Sequence, residues 1–330
     1  MQFLHKTLGK NPLIFTKPIY RNCSMLILFW VGTQSAFSQI DTTYIGKFEN
    51  EYSYRAYVGR RFTSLAYEYS EGDRVDNYMP NNPVGVGVGF AWKGFGLNVG
   101  YGFNFLRDPK KGRTRSLDLQ YHYYGRKMVF DFFGQNYRGL YLSNNDKNSA
   151  VKVFPDIKLI QFGVFGQYVF NGNKFSYRAA FDQSERQLKS AGSLLVGGGL
   201  YYNSVRSDGS IEFSKSDYQF GPNVGYAYTA VIRKRFFASG SITVGGNISI
   251  EERRRTKPEL HPTTLFRGSL GYSAETWSAN LAYVSNKVYV SNSTKEQISL
   301  ETGTFQLTFV KRFDSNSKFL KRLSNLTSED

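Results

Sequence analysis

Few residues in this chain are suited to proton transfer. Of its three histidines, His5 lies in a basic N-terminal stretch, which leaves His122 and His261. His122 stands in "RSLDLQYHYY" with Ser116 and Asp118 on the same face of an extended strand, the residue types of a serine–histidine hydrolase such as a lipid-cleaving enzyme. The spacing argues against that chemistry. Six residues of strand span about 20 Å, so Ser116 is out of reach of the ring, and Asp118 is too far as well unless a neighbouring strand supplies a partner. The expected role of His122 is a hydrogen-bonded histidine in a polar network, and no residue is assigned as catalytic. Two imidazoles without a Cys/His spacing exclude a histidine-built metal site, and no cofactor is implied. Gly85, Gly87 and Gly89 do not form a nucleotide loop, which needs G-x-G-x-x-G between a strand and a helix.

Charged residues fall into two groups. Asp118, His122, Arg178 and Asp182 are the polar candidates for an interior lining, with Arg178 and Asp182, together with Asp131 and Arg267, as charge pairs across that interior. Lys110, Lys111 and Arg113 form one basic cluster, and Arg253, Arg254 and Arg255 another, both in connections between strands. Outward-facing, these clusters would meet the phosphates of lipopolysaccharide. The expected partners are outer-membrane lipid and lipopolysaccharide. Nucleic acid is excluded, since the basic residues follow connections and not one continuous face.

The elements that must position these residues are legible in "VGVGVGFAWKGFGLNVGYGF" (Val84 to Phe103). Successive side chains of a strand point to opposite faces. One column is therefore Val84, Val86, Val88, Phe90, Trp92, Phe95, Leu97, Val99, Tyr101 and Phe103, and the other is nearly all glycine. Lys93-Gly94 has the length of a two-residue hairpin turn. The same alternation recurs over Arg55 to Tyr69, Arg115 to Tyr124, Met128 to Tyr137, Lys158 to Phe170, Phe175 to Gln183, Ser193 to Asn203, Tyr218 to Ile232, Phe236 to Ile250, Thr263 to Ser273, Trp277 to Lys287 and Ile298 to Phe313. Segments of about nine to eleven residues suit tilted strands that cross a bilayer. The small and polar column suits an interior, and the apolar column, with aromatics near strand ends, suits lipid.

Connections sort into short (Lys93-Gly94, Gly125 to Lys127, Asn171 to Lys174, Arg233 to Arg235, Ala274 to Thr276) and long (Glu71 to Pro83, Arg107 to Arg113, Gly139 to Ile157, Glu251 to Pro262). Short and long should alternate in such a barrel. They do so from either end of the chain and disagree across Ser184 to Asp217. Thirteen strands are counted where an even number is the rule, and "SIEFSKS" (Ser210 to Ser216) is the candidate for a missing one.

The N-terminus carries Lys6, Lys10, Lys17 and Arg21, then the apolar run Met25 to Val31, then Ala36-Phe37-Ser38. That order predicts an export signal over 1–38, cut before Gln39. Its loss removes four basic residues and no acid, taking the net charge from +16 to +12. It also removes the lone cysteine, Cys23, so no disulfide is expected. Residues 314–330 read as a polar C-terminal tail.

On "YMPNNP" (Tyr78 to Pro83), "GLYYNSVRSD" (Gly199 to Asp208) and "GYAYT" (Gly225 to Thr229), the chain resembles a family of uncharacterised Bacteroidota-type proteins, a domain of unknown function associated with outer-membrane barrels. The resemblance covers about Asp41 to Phe313 and implies a location without a reaction. The expectation is an all-β, transmembrane, antiparallel up-and-down barrel of 12 to 14 strands over 39–313, in the outer membrane of a Gram-negative cell. Its expected role is a narrow channel or structural barrel without enzymatic activity. The alternatives are a lipid-modifying enzyme with His122 or His261 as base, and an adhesion or assembly scaffold acting through its outward loops.

Overall fold

The computed structural model describes residues 40–314, apart from 51, 70–73, 93–94, 144–149, 208, 210–212, 252–257 and 293–295. The expected export signal, most of the polar tail, and Arg253, Arg254 and Arg255 lie outside the described residues. No described helix is long and apolar enough to cross a membrane.

The alternating segments form the strands of one antiparallel, 13-stranded sheet. In chain order these are β2 (Tyr52–Tyr69), β3 (Val75–Met79), β4 (Gly85–Trp92), β5 (Phe95–Gly102), β6 (Arg115–Tyr124), β7 (Met128–Leu142) and β8 (Val153–Val169), then β10 (Ala191–Ser207), β11 (Phe213–Ile232), β12 (Phe236–Glu251), β13 (Glu259–Ser273), β14 (Trp277–Asn292) and β15 (Glu296–Phe313). Two short strands, β1 (Ile45–Gly46) and β9 (Arg186–Gln187), pair with each other apart from this sheet.

β2 pairs with β15 along its whole length. On its other side β2 meets β3 near the long-loop end, and β3 meets β7. Ten strands therefore close into a ring. Below β3 the wall continues differently: the β4–β5 hairpin hangs from β2, and β6 hangs from β7. β5 and β6 run antiparallel to one another, yet among the described residues no ladder joins them.

Two sequence expectations are corrected. Phe175 to Gln183 is not a wall strand: Arg178–Asp182 form one turn of π-helix, and Gln183 takes a left-handed φ of 64°. Ser210 to Ser216 is not a separate strand, because Phe213 to Ser216 already belong to β11. The short–long alternation fails across this region because one strand too many is assigned there. The long connections are also shorter than the sequence suggests, as β7 reaches Leu142, β8 begins at Val153, and β3 occupies part of Glu71 to Pro83.

The apolar column faces out. On β15, Phe305, Leu307 and Phe309 are about half exposed. They are flanked on the same face by Glu301, which accepts a hydrogen bond from Ser285, and by Lys311. Ten residues separate those two charges, so with a rise of about 3.3 Å and a tilt near 40° the band is about 25 Å tall, the hydrocarbon height of an outer-membrane barrel.

The glycine column faces in, and its reason is steric. A Cβ on Gly87 would stand 2.1 Å from Cζ of the Tyr57 ring, and one on Gly100 would stand 2.7 Å from its hydroxyl. The hairpin is stripped of side chains so that Tyr57 of β2 can lie flat on its inner surface.

The interior is filled in layers. An apolar layer near the long loops joins Leu65, Tyr78, Tyr137, Leu140, Ile157 and Leu159 with residues of β10, β14 and β15. Below it lie Asn203, Asp217, Gln219, Ser249 and His261, then a second apolar layer of Phe165, Tyr201, Leu265 and Val288. A second polar layer holds Asp131 and Arg267. At the short-turn end the segment between β8 and β10 folds inward and packs Phe175, Tyr177 and Ala180 on Val129, Val169, Leu195 and Ala227 as a floor.

Candidate functional site

The lower polar layer is built across the barrel. His122 and Asp131 face each other directly in the β6–β7 ladder, so the neighbouring strand brings His122 the carboxylate that its own strand cannot. Nδ1 of His122 lies 2.5 Å from Oδ1 of Asp131. From the far wall Arg267 of β13 spans the lumen to pair with Asp131. It also donates to the Tyr124 hydroxyl at 2.7 Å, and its guanidinium lies over the rings of Tyr124 and Tyr177 at 5.9 and 5.7 Å. The pair is almost fully buried, with side-chain exposures of 5% and 9%.

Beside this packed region lies a more open one. Most wall strands bury their inner residues, but β6 is exposed on both faces along most of its length. Its inward residues Ser116, Gln120 and His122 all face open space, and the His122 side chain is 46% exposed. Arg61 of β2 projects into the same vestibule, 43% exposed, and its Nη1 lies 3.4 Å from Asp118. Tyr137 and Gln120 donate to Asp118 as well, at 3.0 and 3.2 Å. Below, Arg55 binds Asp182 at 2.9 Å. With the glycine face of β4–β5 opposite, these residues enclose a polar half-lumen.

The floor holds a further ion cluster. Glu185 pairs with Arg126, accepts from Ser176 at 2.6 Å, and lies 3.7 Å from Arg178. Arg178 and Asp182 therefore do not pair with each other, and both sit on the inward segment instead of a wall strand. Burial raises the Asp182 carboxyl pKa, but the Arg55 guanidinium outweighs it and holds the group below its ordinary value. Arg312 is buried, and among the described residues no carboxylate contacts it. It donates to the Gln183 carbonyl at 2.5 Å and to Ser278 at 3.1 Å, and stacks on Phe48.

The family model for a domain of unknown function, DUF4421, matches residues 39–313. The chain belongs to that family. No curated protein matches it. Among solved structures it is similar to the outer membrane protease OmpT of Escherichia coli at 8% identity and a TM-score of 0.34, over 81% of this chain and 98% of that one. It is similar to the translocator domain of the autotransporter NalP of Neisseria meningitidis at 11% identity and a TM-score of 0.38, over 89% and 98%. The toluene transporter TodX of P. putida is similar at 8% identity and a TM-score of 0.27, over 81% and 91%. Likeness at this level carries nothing about activity.

Within this member of the family the other histidine has no access to a substrate. His261 is 1% exposed. Its Nδ1 meets the Tyr289 carbonyl at 2.8 Å and the Gln219 amide at 3.3 Å, while Nε2 meets Glu259 at 3.0 Å. Among the described residues no serine or threonine hydroxyl bonds to His122, and no group of His, Cys, Asp and Glu is arranged to hold a metal. Lys110, Lys111 and Arg113 sit on the link from β5 to β6. There Lys111 lies 3.7 Å from Asp108 and over the Tyr141 ring. Beside them Gly139 takes a φ of +85°, and a Cβ on it would stand 2.6 Å from the Arg113 carbonyl.

Sequence reasoning missed Arg55, Arg61, Glu185 and Arg312. The inward parity of β2, which puts Arg55, Tyr57 and Arg61 in one column, could have revealed the first two.

Proposed function

We propose that this protein resides in the outer membrane as a closed, non-enzymatic structural barrel that does not conduct along its axis. One observation carries the reading: apolar and polar layers alternate from the long-loop end to the floor, and the lumen is crossed by the buried Arg267–Asp131 pair. The outward apolar band of about 25 Å supports a place in a bilayer. The His122–Asp131 contact braces that layer, since the carboxylate also binds Arg267 and among the described residues no serine or threonine hydroxyl bonds to the ring. Lys110 and Arg113, both exposed, would face lipopolysaccharide phosphates. Their replacement by Glu should weaken lipopolysaccharide retention, and unchanged retention would remove that contact from the reading. Purified protein in planar bilayers should show no stepwise conductance, and a steady ohmic pore would overturn the closed-barrel reading.

A further inference from the structure

The wall carries an unpaired seam. β5 and β6 are of similar length, antiparallel, and joined by a link near the long-loop end, but no hydrogen-bonded ladder closes them among the described residues. Unsatisfied strand edges are costly in hydrocarbon, so a seam at membrane height must be covered. Its outer flanks are apolar: Val99 and Tyr101 on β5, and Leu117, Leu119 and Tyr121 on β6, are all more than half exposed. Its inner side is the polar vestibule of Arg55, Arg61, Gln120 and His122.

The charge of the region behind the seam is unbalanced. Among the described residues, the vestibule and the floor beneath it bring together Arg55, Arg61, Arg126, Arg178, Arg267 and Arg312 against Asp118, Asp131, Asp182 and Glu185. Two guanidinium charges are left over. The surplus sits in the floor beneath, on Arg312 and on Arg126 and Arg178, which share Glu185, and within the vestibule Arg61, 43% exposed, is the guanidinium open to a ligand; guanidinium groups bind phosphate and carboxylate oxygens in paired hydrogen bonds.

We propose that the β5–β6 seam is a lateral port that binds one amphiphile with an anionic headgroup. The headgroup sits in the vestibule against Arg61, and the acyl chains leave between β5 and β6 into the bilayer. The exposed inward positions of β6, Ser116, Gln120 and His122, leave the headgroup room, and the chains cover the open edges. The site is separate from the axial closure proposed above, and a barrel that conducts ions would leave it untouched.

The test is native mass spectrometry of the full barrel with added phosphatidylglycerol or phosphatidylcholine of identical chains, with heat-modifiable gel mobility confirming the fold of each variant. Phosphatidylglycerol should be retained one to one and phosphatidylcholine about tenfold less. Arg61→Ala should lower phosphatidylglycerol retention about tenfold, as expected for one charge-assisted contact. Gln120→Trp, which fills the vestibule from an exposed inward position, should do the same. Leu270→Trp, on the exposed outward face of β13 away from the seam, should change nothing. Equal retention of both lipids, equal effects of Leu270→Trp and Gln120→Trp, or a peptide strand held at the seam in place of lipid would each overturn the proposal.

Discussion

Replacing Arg267 by Met removes a cation from a layer where water cannot replace it. The Asp131 carboxylate loses its ion pair but keeps His122 at 2.5 Å and the Tyr124 hydroxyl at 3.3 Å. Breaking a buried pair costs about 3–5 kcal/mol, and two surviving donors place this variant near the lower end. Asp131→Leu leaves the guanidinium with the Tyr124 oxygen and two aromatic faces, none carrying a full negative charge, so its cost belongs near the upper end. The double variant Asp131→Leu/Arg267→Met exchanges the pair for apolar volume and should lie within about 1 kcal/mol of the parent. Urea unfolding of the barrel in lipid vesicles, followed by tryptophan fluorescence, measures all four corners of the cycle. The reasoning is refuted if the two single costs add in the double variant, for then each residue acts through its own contacts and not through the pair across the lumen.

Three further outcomes are expected. Gly87→Val should destabilise the barrel by about 1–3 kcal/mol through collision with Tyr57, and Tyr57→Ala should restore most of the loss in the same unfolding assay; no rescue would mean the glycine serves something else. Leu307→Arg, near the middle of the outward band, should cost about 2–4 kcal/mol in vesicles, and a neutral result would argue that this face does not meet lipid. The depressed pKa of Asp182 gives stability that is complete above the ordinary carboxylate value of 3.8 and lost as pH falls through its lower folded value. Hydrogen exchange of the inward segment should therefore rise at that acid limit in the parent, and an Asp182→Asn variant should lack this acid-dependent rise; identical profiles would detach the pair from the floor.

The wall was legible in the sequence because two-residue periodicity is a local property, written into each strand without reference to its neighbours. The inward parity of Asp118 and His122 followed from it. Phe175 to Gln183 shows where that signal fails: Phe175, Tyr177, Ala179 and Phe181 alternate as a strand would, but their apolar side chains pack a floor, and the backbone turns through a π-helix to do it. The conflict in connection lengths was the one available warning. The contact of His122 with Asp131 lies across a tight hairpin and could be read once its register is known. The link from Asp131 to Arg267 joins residues 136 apart, and nothing in either strand's own pattern encodes it.

The small ladder between β1 and β9 has a kinetic meaning. Ile45 and Gly46 join Gln187 and Arg186, the Leu188 amide donates to the Tyr44 carbonyl at 2.7 Å, and the Asp41 amide donates to Asn173 at 3.1 Å. Contacts of such long sequence separation form slowly, because a large loop must be closed before they give anything back. Neighbouring hairpins can zip without them, so protection of these amides should appear after that of β11 to β14 in pulse-labelled refolding. On that order of events those hairpins stand with the base of the barrel still unlatched, and the leading residues fasten it afterwards.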